Sequence, residues 1–299
     1  MKTFSQMQTN IGNNVQDTSA SFATKIGVKL NNRGRDIWNR CMWTEKFNSD
    51  YTFTAIVGTS SYSLLNDFME EVSVTDVTTG RKLDRMTIGQ LWEERGYMYE
   101  DGSVGNGQPE KYVITDETSS GVLQIQLDPP PDATNTYAMP YMRKYTDLLG
   151  TTGTCTTDTA SKIIASASSF ITDGVESGMR IKNTTDGTYG FVITVDSETQ
   201  LTMDRDLCPD GDETFTIAGE FLIRDIDWIA ELGATGDALM LKRRPPEAGV
   251  YYQMYELELR RKIGQFKSQN NQLSQFIPSQ RSTSSTYGPN FGNGSNYPV

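Results

Sequence analysis

The chain has 299 residues, 36% of them hydrophobic and 22% charged, which suits roughly two or three compact units with true cores and argues against wholesale disorder. A net charge of −11 excludes a DNA-gripping basic protein, and the absence of histidine removes the usual general base of Ser and Cys nucleophile systems and the commonest transition-metal ligand. The three cysteines, Cys41, Cys155 and Cys208, are odd in number and far apart in sequence, giving neither a disulfide framework nor the close pairs of a zinc site, so reduced thiols are expected.

Two helices are expected first. A short one covers about Thr3 to Val15, and a long amphipathic one runs from N-cap candidates Asp17, Thr18 and Ser19 to Trp43, with Phe22, Ile26, Leu30, Ile37, Trp38 and Cys41 at helical spacing. Gly34 inside it implies either close packing against another backbone or simple tolerance. The period then changes to two. Tyr51, Phe53, Ala55 and Val57 alternate with polar residues, Gly58 to Ser61 make a turn, and Tyr62 and Leu64 alternate again. Further strands are expected at Val72–Val77, Tyr112–Thr115, Val122–Leu127 and Tyr137–Arg143, with a short helix at Thr87–Glu94. Pro129 to Pro131 end a strand, because consecutive prolines supply no backbone donors. An antiparallel β sandwich or small barrel over 47–145 results.

Residues 146–220 differ in texture and charge. Thr146 to Glu220 carry thirteen acidic residues against four basic ones, and short Thr- and Ser-rich β runs lie at Lys162–Ala165, Met179–Lys182, Phe191–Asp196, Gln200–Met203 and Thr214–Ile217. Turns at Asp173-Gly174, Asp186-Gly187 and Asp210-Gly211 separate several of them. This segment reads as a small all-β module inserted into its host and displayed away from the helices. Helix returns at Arg224–Ala234, and Pro245-Pro246-Glu247 open a long helix to about Gln269 with Tyr251, Tyr255, Leu259, Ile263 and Phe266 along one face. From Ser274 to Val299 the composition is too poor in apolar residues to fold alone. It reads as an extended arm whose Phe276, Tyr287, Phe291 and Tyr297 are spaced like anchors for a neighbouring subunit, or as a flexible tail.

The expected fold class is therefore α+β: N-terminal helices (1–46) packed with C-terminal helices (221–273), an antiparallel β sandwich or barrel domain (47–145), an inserted acidic β module (146–220) and an extended C-terminal arm (274–299). No apolar run approaches the roughly 18 residues of a membrane-spanning helix, and Met1 to Ile11 lack the basic start and apolar stretch of a secretory signal. A soluble chain made in the cytosol is expected.

Within this order, Leu30-Asn31-Asn32-Arg33-Gly34-Arg35-Asp36-Ile37-Trp38-Asn39-Arg40 with Trp43, the strand pair ending in Tyr62-Ser63-Leu64, Leu127-Asp128-Pro129-Pro130-Pro131-Asp132, Tyr141-Met142-Arg143-Lys144 and the tyrosine-rich last helix resemble the tailed-bacteriophage head-to-tail connector (adaptor) proteins. The resemblance covers about half of the chain and is carried by the order of its segments; the acidic insert and the arm depart from the simpler members. It implies a virion structural protein, assembled in the host cytoplasm. Such a protein forms a ring with copies of itself, usually dodecameric, beneath the portal protein, and docks the tail tube, nozzle or fibres. DNA passes through the channel without sequence recognition, and no membrane, cofactor or enzymatic activity is implied.

The candidate interface residues are Trp38, Trp43, Lys242, Arg243, Arg244, Arg260, Arg261, Phe276, Tyr287 and Phe291. Trp is favoured at interface hot spots, although helical spacing more often turns such residues into the protein's own core. The basic runs Lys242–Arg244 and Arg260–Lys262 suit acidic patches on an adjoining ring better than a DNA channel, since a basic lining would hold phosphates through counterion release. Asp204, Asp206, Asp210, Asp212 and Glu213 around Gly211 miss the EF-hand spacing and read as a solvated loop. Glu93-Glu94 and Asp225 with Asp227 lack the cleft a glycosidase needs, and Gly102, Gly105 and Gly107 lack the strand and helix of a phosphate loop. No metal or catalytic residue is assigned. The rival readings are another tail ring or decoration protein, a carbohydrate-binding role for the β insert, and an acid-catalysed hydrolase working without histidine.

Overall fold

The computed structural model describes residues 1–98, 105–115 and 122–276, with backbone alone at 95–98 and 270–276. Residues Met1–Leu259 form one compact unit and Arg260–Val299 a second. Helix α1 (Phe4–Val15) starts at Thr3, whose side chain accepts from the Gln6 amide while the Gln6 side chain accepts from the Thr3 amide, a reciprocal cap that satisfies two otherwise orphaned donors. Helix α2 (Ala20–Arg40) buries Phe22, Ile26, Leu30, Ile37 and Trp38. It stops three residues short of the expected end: Cys41 is already extended, and Trp43 folds back so that its indole Nε1–H donates to Ile37 O at 2.9 Å.

The chain then enters β structure: β1 (Phe47–Asn48), β2 (Thr52–Ala55), β3 (Ser61–Ser63), β4 (Phe68–Glu71), β5 (Val74–Asp76), β6 (Lys82–Arg85), helix α3 (Ile88–Met98), β7 (Lys111–Thr115), β8 (Gln124–Asp128), β9 (Asn135–Ala138) and β10 (Tyr141–Arg143). Seven strands form one sheet in the order β2-β9-β5-β6-β7-β8-β3, and three form another in the order β1-β10-β4. The expected strand Tyr137–Arg143 is split at Pro140 between the two sheets, because proline cannot donate to a ladder. β2 and β3 close no hairpin with each other. They are the two edges of the larger sheet, held near one another by a short corner in which the Tyr62 hydroxyl meets the Ile56 and Thr59 backbone. The sheet is thus curled almost into a barrel around Leu64, Phe68, Val74, Leu83, Ile125, Leu127 and Tyr137. It is not wholly antiparallel: β6 and β7 run parallel, since the crossover through α3 returns the chain in the same direction.

Residues 151–217 form a six-stranded antiparallel sheet from β11 (Thr151–Thr154), β12 (Lys162–Ile164), β13 (Arg180–Asn183), β14 (Tyr189–Ser197), β15 (Gln200–Met203) and β16 (Thr214–Ile217), in the order β11-β16-β13-β14-β15-β12. The chain leaving β11 closes it: Thr157 bridges Ile164, and Thr156 N donates to Ile164 O at 2.7 Å. Closure removes the exposed edges that an open sheet must protect. The expected Gly turns are present, with left-handed backbone at Gly174, Gly187 and Gly211. The sequence predicts a module displayed away from the helices; instead its stem lies against α1. Phe4 N donates to Gly219 O at 2.7 Å, and the Phe4 ring lies against Gly150.

Helix α4 (Asp227–Leu241) and helix α5 (Pro245–Phe276) complete the fold. α4 runs seven residues past the expected Ala234 because Ala234, Ala238 and Leu239 are buried. α5 runs past the expected Gln269, so its backbone takes in the first residues assigned to the arm. The rest of that arm, with Tyr287, Phe291 and Tyr297, lies outside the described residues, as does Gly102. The fold is α+β, with helices from both ends of the sequence packed together and β bodies between them.

Candidate functional site

The densest set of long-range polar contacts is centred on α2, in the Asn31–Arg40 segment. Its residues fall on two helical stripes. Arg33, Asp36 and Arg40 meet α4 and α5. The Arg33 guanidinium forms a two-pronged pair with Asp237 (2.9 and 2.6 Å) and lies over the rings of Tyr252 and Tyr255, with centroids 5.2 and 5.1 Å away. Tyr252 donates to Asp237 at 2.9 Å, Tyr255 donates to Asp36 at 2.6 Å, and Arg40 reaches both Asp36 and Glu256 at 3.0 Å. Glycines in α4 make room for this cluster. A Cβ at Gly233 would stand 2.8 Å from the Arg33 chain, and one at Gly236 would stand 2.6 Å from the Tyr252 ring. Although burial opposes its charge, Arg33 is pushed further toward the cation by Asp237, and Asp36, also against burial, is held below the ordinary carboxylate range by Arg40 and Tyr255.

Asn31, Gly34, Arg35 and Trp38 occupy the other stripe and hold the segment Tyr145–Leu148, which leads into the β module. The Asn31 side chain accepts from Leu148 N at 2.8 Å and donates to Leu148 O at 3.1 Å, closing a local bracket. Arg35 pairs with Asp147 at 2.8 Å, and Trp38 meets Tyr145 edge to face at 6.1 Å. Gly34 is required by close packing: a Cβ there would stand 2.5 Å from the Phe221 ring and would overlap the Tyr145 hydroxyl. The adjoining crevice holds only about 20 Å³, room for about one water.

A second polar cluster joins the β module to the larger β body. Asp67, which leads into β4, and Arg143 of β10 are 2% and 5% exposed, and Tyr141 donates to Asp67 Oδ1 at 2.7 Å. Arg143 NH1 stands 3.6 Å from Asp67 Oδ2, beyond hydrogen-bond distance, and neither atom has another hydrogen-bond partner. Burial raises the Asp67 pKa despite the nearby Arg143. The module contributes Gly178, packed directly on the Asp67 carboxylate, Phe191, 3.9 Å beneath the Arg143 guanidinium, and Ser177, whose Oγ accepts from Asn66 N at 2.9 Å. Beside these contacts a cleft of about 470 Å³ opens between Ser63–Asn66 and the module's Ile171, Ser177 and Ile193–Val195.

The structure scatters the residues singled out from sequence. Trp38 and Trp43 are 4% and 1% exposed and pack within the chain, so they present no ring to a partner. Lys242, Arg243 and Arg244 share the turn between α4 and α5. Lys242 is committed to Asp17 and the Phe22 ring, Arg244 to Glu247 at 2.6 Å, and Arg243 is exposed with left-handed backbone. Arg260 and Arg261 are exposed on the part of α5 that belongs to the second unit. Phe276 is the last residue of α5, and only its backbone is described. Glu94 pairs with Lys111 at 2.6 Å, and Asp227 accepts from the Lys2 amide at 2.9 Å. Among the described residues, no three Cys, Asp or Glu side chains are placed to hold a metal ion. No described helix is long and apolar enough to cross a membrane.

Sequence reasoning missed one surface. Val250, Met254 and Leu257 are 56%, 46% and 66% exposed and follow i, i+4, i+7 along α5. They form an apolar stripe turned away from the buried Tyr255 and Leu259. The signal was legible as a second helical period beside the tyrosine face. In comparisons with known proteins, a family model described as SU10 adaptor protein matches residues 2–280. No curated protein matches the chain.

Proposed function

Because the chain belongs to the SU10 adaptor protein family and is thereby a bacteriophage adaptor, we propose that it is a virion component acting as one subunit of a dodecameric ring beneath the portal. There it extends the DNA channel, which passes DNA without reading its sequence, and docks the tail tube, nozzle or fibre proteins. The observation that carries this reading is the α2 clasp. It ties helices from both ends of the sequence into one body through Arg33–Asp237 and Tyr255–Asp36, while the apolar stripe Val250–Met254–Leu257 stays exposed. A subunit that repeats about an axis needs such a rigid body and an uncovered apolar face, because ring contacts must bury surface that the monomer leaves open.

In this reading residues 1–46 and 221–273 make the helical body, 47–145 the β domain, 146–220 the inserted module, and 274–299 an arm that contacts a neighbouring subunit or the portal. The basic turn Lys242–Arg244 contacts acidic surface on an adjoining ring, with Lys242 and Arg244 also paired within the chain. Arg260 and Arg261, on the second unit, make contacts of the same kind. Native mass measurement and negative-stain imaging of the purified chain, alone and mixed with portal protein, test the proposal. Rings in either sample support it; a chain that remains strictly monomeric and ignores the portal protein overturns it. Met254→Glu together with Leu257→Glu is expected to abolish the rings while leaving the subunit folded, since both positions are exposed.

A further inference from the structure

The compact unit Met1–Leu259 carries two uncovered apolar surfaces on different elements. The first is the ridge Val250, Met254 and Leu257 of α5. The second is the cleft of about 470 Å³ between the larger β body and the module. Its lining joins the buried Leu64, Leu65 and Val175 to the more accessible Ile171 and Ile193, and Ile171 is 57% exposed. Val192 enters the barrel core, so strand alternation turns Ile193 outward. Two isoleucines on the outside of a closed barrel, beside a lining that is already apolar, mark surface that a partner covers. Charge distinguishes the two surfaces as well. Glu176 is the one charged side chain among the described residues lining the cleft, and Thr146 to Glu220 hold thirteen acidic residues against four basic ones. The ridge lies instead within Lys242 to Lys267, which hold seven basic residues and three acidic ones.

We infer that the ridge of one copy seats in the cleft of the next, so that the β body and module of each subunit receive α5 of a neighbour. This rests on the ring reading proposed above and deepens it by naming the two surfaces that meet. Every chain offers one ridge and one cleft. A contact between unlike surfaces passes from copy to copy and leaves neither surface uncovered once the rotation closes a ring. Ridge on ridge, by contrast, would stop at two copies and leave both clefts open. Removal of Val250, Met254 and Leu257 from water, together with Ile171 and Ile193, supplies the driving force. The opposite charges of the basic stretch and the acidic module steer the two surfaces together and disfavour like-on-like pairing, because each surface repels its own kind.

The test uses full chains carrying Cys41→Ser, in which the remaining native cysteines, Cys155 and Cys208, are buried. Leu257→Cys is introduced into one chain and Ile171→Cys into another, both at exposed positions. The two are treated with a short bismaleimide, separately and as a mixture. A crosslinked dimer is expected in the mixture and in neither chain alone, with peptide mapping that joins positions 257 and 171. Val250→Cys with Ser63→Cys, also exposed, is run as a second pair, so that one misplaced maleimide does not decide the outcome. Adding Met254→Glu to the Leu257→Cys chain should lower the yield about tenfold or more, since the contact would then bury an unpaired carboxylate, while the melting curve of the exposed-site variant stays that of its parent. A Leu257→Cys chain that crosslinks to itself would overturn the inference. So would wild-type rings, seen by native mass, with no mixed product from either pair. A mixed product from a protein whose wild type never closes a ring would keep the ridge-in-cleft contact and overturn the ring, and absence of both would overturn both readings.

Discussion

The two β bodies reach stability by different means. The module at 151–217 is closed on itself through Thr157 and Ile164, and its core is a continuous apolar cluster from Ile163 through Phe170 and Ile181 to Ile217. The larger body at 47–143 spreads its strands over two sheets, leaves β2 and β3 unpaired with each other, and buries Asp67, Glu71, Asp76 and Arg143. The closed barrel buries one carboxylate, Glu213, and bonds it to its own Asn183, whereas the split sheet carries several buried charges that depend on partners to neutralise them. Asp67 and Arg143 lie where the two bodies meet, so the weaker design is braced by the stronger one through Gly178 and Phe191.

The largest expected effect breaks that dependence. Arg143→Ala leaves the buried Asp67 carboxylate without its counter-charge and should cost about 3–5 kcal/mol, the range for removing one partner of a buried pair. The double variant Arg143→Met with Asp67→Leu should recover most of that loss, because a buried ion pair is often no more stabilising than a well-packed apolar one. Hydrogen exchange localises the outcome: faster exchange is expected in β4 and β10, with little change in the barrel strands β13 to β16. Equal acceleration in both bodies would mean that the barrel leans on its neighbour after all.

A smaller effect sharpens the comparison at the contact itself. Gly178 and Gly174 both have left-handed backbone, with φ of +87° and +76°. A Cβ at Gly174 meets nothing within 4 Å, whereas one at Gly178 overlaps the Asp67 carboxylate. Gly174→Ala should therefore show only the backbone penalty of about 1 kcal/mol, and Gly178→Ala should add roughly 1–3 kcal/mol of overpacking. The difference between the two variants in urea unfolding measures how tightly the bodies are pressed together.

Much of this arrangement was legible in the sequence because it obeys local rules. The periods of 3.6 and 2 located most helices and strands, and Gly174, Gly187 and Gly211 were identifiable as turn formers from their Asp-Gly pairs. What escaped was set by distant partners. β11, Thr-Thr-Gly-Thr, has no apolar alternation and is a strand because β16 pairs with it. Parallel pairing of β6 with β7 depends on where the α3 crossover returns the chain. Arg33 and Asp237 are 204 positions apart, and nothing local marks them as partners. Trp38 and Trp43 illustrate the converse, since a residue type common at interfaces lies here inside its own chain.

The smallest effect is a difference of sign under acid. Asp196 in the barrel is held down to about 2: burial would raise it, but hydrogen bonds from Thr194, Thr202, Gln200 and Lys162 outweigh that cost. A carboxyl depressed by folding stabilises above its unfolded value of 3.8, and that contribution is lost as pH falls through about 2. With the side chain 26% exposed, solvent screening limits it to about 1 kcal/mol. Asp67 has the opposite shift, raised by burial, so its contribution is fully present below the unfolded value and is lost as pH rises through the folded one. In urea unfolding between pH 7 and pH 3, the stability gap between wild type and Asp196→Asn should shrink as pH falls, while the gap between wild type and Asp67→Asn should grow. Slopes of the same sign would show that the two carboxylates share one environment, and the contrast between the barrel and the split sheet would lose its electrostatic half.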